Sequence, residues 1–138
     1  MADEALVKLL KAIIAKAKGG DWEGMYEGYG TLFGDAAFAA YRPEDQRRAL
    51  QLMLMQKGAP ATSTDTKVAA HRAALAPLTE LVSTFGEPAD HELLGMCHVV
   101  LGNEESASAI FKAGLALERA RNASSDLCGA LMRRVSML

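Results

Sequence analysis

The strongest constraint on this chain is a set of small and bulky residues at fixed intervals. Leu94-Gly95 is followed thirteen positions later by Ala107, then by Phe111 four further on and Gly114 three beyond that. Between them, Gly102-Asn103 is a tight-turn dipeptide, so residues 87–121 read as helix, turn, helix. Small side chains at Gly95 and Ala107 let the two helices approach closely, while Leu94 and Phe111 fill the space beside their crossing. The pattern repeats: 34 positions after Leu94-Gly95 stand Cys128-Gly129, again an apolar residue followed by glycine, within another amphipathic segment. A chain built this way folds as packed helix pairs, and a last helix is needed to close the exposed apolar end.

At 138 residues the length predicts one domain, residues 1–138, large enough for a core without staples. Half of the residues are hydrophobic but only 6% are aromatic, so alanine, leucine and methionine carry the burial, a helical balance. The net charge of −2 gives no global field for nucleic acid or an anionic membrane. Cys97 and Cys128 sit in apolar helical runs, where thiols behave as reduced, buried hydrophobes of an intracellular protein. Lys8 and Lys11 interrupt the apolar stretch at residues 6–15, so neither a secretory signal nor a membrane span is expected. The predicted address is the cytoplasm.

Seven helices and no strand are expected. The first, residues 3–18, carries Leu6, Leu9, Leu10, Ile13, Ile14 and Ala17 at three- and four-residue steps. Its lysines suggest a membrane-surface helix, but the apolar side has no aromatic anchor, so a core-facing helix is the better reading. Gly19-Gly20 ends it and Asp21 caps residues 22–34. Gly24, Gly28, Gly30 and Gly34 there read as close-packing positions, because no strand and no Gly-Lys-Ser/Thr ending supports a phosphate loop. Residues 35–42 form a connector, and Pro43 opens a third helix in which Arg47 and Arg48 are expected in solvent. After the loop at residues 58–63, Thr64 or Asp65 caps a long helix to Phe85 that Pro77 should kink or divide. Gly86 stops it. The repeat unit, residues 88–121, and a capping helix, residues 124–136, complete the chain.

These intervals resemble the tetratricopeptide-repeat family, whose unit is a 34-residue helix–turn–helix. The resemblance covers the C-terminal third, and His98 and Gly114 stand where the family often has a bulky residue and an alanine. It implies an all-α fold, a right-handed array of antiparallel helix hairpins. It also implies a concave groove that grips a partner peptide or helix, lined by the first helix of each unit. Carried over by register, the partner-binding residues are Glu92, Met96 and Val99, with Asp126, Ala130 and Arg133 on the last helix. The family's dicarboxylate clamp uses lysine and asparagine where Glu92 and Met96 stand, so an apolar or mixed-charge segment fits better than an acidic C-terminus. The implied function is protein–protein interaction, as an adaptor, scaffold or small chaperone. The alternative is a homo-oligomer, such as a homodimer, whose groove is occupied by its own copy.

Catalytic and metal chemistry find little support. His91-Glu92-Leu93-Leu94-Gly95 approaches the H-E-x-x-H zinc motif, but glycine stands in place of the second histidine. His91 and His98 lie roughly 10 Å apart along a helix rising about 1.5 Å per residue, too far for one metal. Cys97 and Cys128 lack an activating base, and no serine occupies a nucleophile elbow. No catalytic residue, metal or cofactor is therefore assigned, and a small hydrolase or metal-dependent enzyme is the lower alternative.

Overall fold

A computed structural model describes residues 3–138, and among these residues the fold is all-α. Seven α-helices follow in order: α1 (Glu4–Lys18), α2 (Trp22–Gly34), α3 (Pro43–Leu54), α4 (Asp65–Phe85), α5 (Pro88–Val100), α6 (Glu104–Asn122) and α7 (Asp126–Ser136). A 3₁₀ turn, Ala36–Ala40, joins α2 to α3. The chain divides into two compact units, residues 1–77 and 78–138, with the division inside α4.

The helix limits follow from capping. Asp3 accepts the Leu6 amide at 3.0 Å and Asp21 the Gly24 amide at 2.9 Å, satisfying N–H groups that have no intrahelical partner. Thr64 and Ser125 do the same for α4 and α7, with Lys67 at 3.3 Å and Cys128 at 2.9 Å. Pro43 and Pro88 open α3 and α5, where a missing N–H costs nothing. The expected break at Pro77 is not a division: α4 is helical on both sides of it. Pro77 still removes the amide that would meet the Ala73 carbonyl, and the boundary between the two units falls just after it.

In the first unit, α2 is held through its glycines. A Cβ at Gly28 would lie 2.7 Å from Ile13 Cγ1 of α1, so a side chain there would force the helices apart. Gly30 and Gly34 turn instead to α4, where a Cβ added to each would lie 3.6 Å from Ala70 Cα and 4.0 Å from Ala73 Cβ, ordinary contact distances. The connector at residues 35–42 is more ordered than its sequence suggests. Asp35 accepts the Ala37 amide at 2.9 Å, and Phe38 is buried with its ring edge-on to both Phe33 and Tyr41. Arg47, expected in solvent beside the exposed Arg48, is half-buried.

Tyr29 stacks on Phe33 with ring centroids 5.6 Å apart, and its buried hydroxyl finds no hydrogen-bond partner among the described residues. Burial pushes the Tyr29 phenol up to about 12, with a smaller contribution from Tyr26. Tyr29→Phe removes the unpaired hydroxyl while keeping the stacked ring. We expect urea unfolding to show stability kept or raised by about 1 kcal/mol. A loss of similar size would mean that the hydroxyl is in fact bonded.

Candidate functional site: the α5–α7 groove

Residues 78–138 are built around the crossing of α5 and α6. A Cβ on Gly95 would enter the Phe111 ring, and a Cβ on Gly114 would lie 2.7 Å from His91 Cβ. Gly95 thus meets Phe111 while His91, one turn earlier, meets Gly114, one turn later, so the two helices run antiparallel. Gly102, at φ +80°, permits the reversal between them, and the Asn103 amide closes it on the His98 carbonyl at 2.9 Å. Arg121 at the far end of α6 donates to Glu87 at 2.8 Å, an exposed pair of small energetic weight. Ala107, Phe111 and Leu131 form the core, so α7 lies on the α6 side of the hairpin, with Met96, Leu115, Leu127 and Val135 packed around it.

On this core lies an apolar groove of about 270 Å³. Met96, Val99 and Val100 of α5 form one side, Phe111 the floor, and Arg134 of α7 the other side with Met137 and Leu138 beyond it. Of the six register-derived candidates, Met96 and Val99 meet here. Met96 is half-buried against the core, and Val99 is 42% exposed.

Glu92 does not face the groove as its register suggested. It is buried and accepts from Arg134 Nε at 2.7 Å, with side chains 6% and 33% exposed respectively. Asp126 and Arg133 are exposed and Ala130 is half-buried, and none of the three lines the groove. The contribution of α7 comes from Arg134, one position past the expected Arg133. One residue is about 100° around a helix, enough to move a side chain from one side to the next. Met137 and Leu138 follow the helix end, where periodicity gives no signal.

The potentially reactive groups are dispersed into local bonds. His71 Nδ1 donates to the Lys67 carbonyl at 2.7 Å and His91 Nδ1 to the Glu87 carbonyl at 2.8 Å, because a carbonyl can only accept. His98, half-buried, pairs with Asn103 Nδ2 at 3.2 Å, and burial lowers its basicity. Burial likewise lowers His71, opposed by its bond to Lys67. Both cysteines are buried, and burial pushes the Cys97 thiol up to about 12, so it stays protonated near neutral pH and is a poor nucleophile. Among the described residues, no three His, Cys, Asp or Glu side chains are grouped to hold a metal, and no helix is long and apolar enough to cross a membrane.

A second groove, of about 450 Å³, lies within the first unit between α1, α2 and the 3₁₀ turn. Leu9, Phe38 and Tyr41 give it an apolar bed, but Lys16 stands on one wall and Glu27 and Asp35 on the other. Comparison of the chain with protein-family models, curated proteins and solved structures gives no match.

Proposed function

We propose that this chain is a non-enzymatic protein–protein interaction module, an adaptor, scaffold or small chaperone that holds an apolar partner peptide or helix in the α5–α7 groove. The observation that carries this reading is the meeting of Met96 and Val99 with Phe111, Met137 and Leu138 in one apolar concavity. Apolar anchors in a pocket supply most of the energy of helix-in-groove recognition, and a bed fixed by packing needs little ordering on binding. The repeat intervals support a tetratricopeptide-like, right-handed array as the frame. Two buried cysteines in apolar helical runs suit a cytoplasmic address.

Val99→Glu tests the reading with little risk to folding, because Val99 is 42% exposed and lies outside the buried core. The variant should lose a partner captured by the unaltered chain from host lysate while keeping its helicity by circular dichroism. Undiminished capture would move the binding surface elsewhere. A second reading, self-association, draws on the exposed apolar residues Met132, Met137 and Leu138 at the α7 end. Light scattering separates the two, since a stable homodimer whose mass falls to monomer with Val99→Glu would assign the groove to a second copy.

A further inference from the structure

We propose that Glu92 is a positioning residue for the groove: through Arg134 it clasps the last turn of α7 and so holds Met137 and Leu138 in place as the groove's C-terminal wall. The inference rests on the groove being the binding surface, but its geometry stands apart from any partner. The clasp joins side chains 42 positions apart, with Arg134 Nε donating to Glu92 Oε2 at 2.7 Å. The anchor is the buried partner, fixed in the middle of α5, while Arg134 itself lines the groove.

The wall has little else to hold it. Leu131 is the last fully buried side chain of α7, Val135 packs only partly against the core, and Met137 is 82% exposed. A helix end frays unless tied by tertiary contacts, because its final carbonyls and side chains face water. The ion pair falls between Leu131 and Met137, so it fixes the turn that the core does not reach. A charge-assisted hydrogen bond to a buried carboxylate is directional as well as strong, which suits a part that sets a spacing rather than fills one. Releasing it frees Arg134, Met137 and Leu138 together, and these make up one whole side of the groove.

Amide hydrogen exchange of the full chain, read residue by residue by NMR, tests the clasp without a partner. In Glu92→Gln, amides of residues 132–137 should exchange about tenfold faster, as expected when one charged hydrogen bond is lost. Residues 107–115 should keep their rates. Arg134→Lys in the chain that keeps Glu92 retains a cation able to reach that carboxylate and should keep most of the protection. Unchanged exchange in α7, or equal acceleration throughout residues 78–138, overturns the clasp. Neither result touches the groove reading, which fails instead if Val99→Glu leaves both partner capture and self-association intact.

Discussion

Replacing Phe111 with alanine is expected to lower the stability of the α5–α7 unit by about 3–5 kcal/mol, the usual cost of emptying a buried phenylalanine site. Phe111 is 2% exposed and makes three kinds of contact at once. It covers the backbone at Gly95, joins Ala107 and Leu131 in the core, and floors the groove. No neighbour can collapse into its place without breaking the α5–α6 crossing. Since a domain is typically stable by only about 5–15 kcal/mol, the loss should appear as an early transition in urea, followed by circular dichroism. A companion substitution tests the cause. Gly95→Ala gains about 1 kcal/mol of helix propensity but drives a methyl into the Phe111 ring, an overpacking cost of about 1–3 kcal/mol. Combining Gly95→Ala with Phe111→Leu should therefore cost less than the sum of the two single changes, because the smaller side chain vacates the volume the methyl needs. Strict additivity would mean that Gly95 and Phe111 do not share that space.

The helices were legible because their ends are written locally. Asp3, Asp21, Thr64 and Ser125 cap the helices they precede, and proline opens α3 and α5, so a few residues of sequence decide each limit. Gly95 and Phe111 were legible as a pair because a helix hairpin brings fixed intervals together. Gly114, read only as a departure from the family's alanine, has its reason in the Cβ of His91, a neighbour that the interval alone does not name. Leu9 shows the opposite failure. It shares the apolar periodicity of α1 yet is 49% exposed, because the edge of α1 faces a groove rather than a covering helix. Glu92 is the plainest case. A glutamate at a groove-facing register looks solvent-exposed, yet it is buried and its charge is met by an arginine 42 positions away. Nothing local encodes that partner. The α7 side of the groove went unread for the same reason, since Arg134 is placed by its pair and Met137 and Leu138 by the turn after the helix.

The Glu92–Arg134 pair should also show a marked asymmetry between its halves. Arg134→Met strands a carboxylate whose side chain is only 6% exposed, and a buried charge without its partner is costly. We expect a loss of about 3 kcal/mol, at the lower end for broken buried pairs because Arg134 is one-third exposed and part of its interaction is already screened by water. Glu92→Leu removes the other half, but the long arginine side chain can then swing its head into solvent and leave its stem on the apolar surface. That change should cost within about 1 kcal/mol. The double variant, with leucine facing methionine, replaces two desolvated charges by apolar contact and should recover most of the loss caused by Arg134→Met alone. Urea unfolding of the three variants measures this directly, and the coupling between the substitutions is read from the cycle. Equal losses from both single changes, or a double variant worse than Arg134→Met, would show that Glu92 is not the desolvated partner. A recovered double variant would instead show that the pair is dispensable for stability, and its retention at the groove wall would then be a matter of fixing where α7 ends relative to α5.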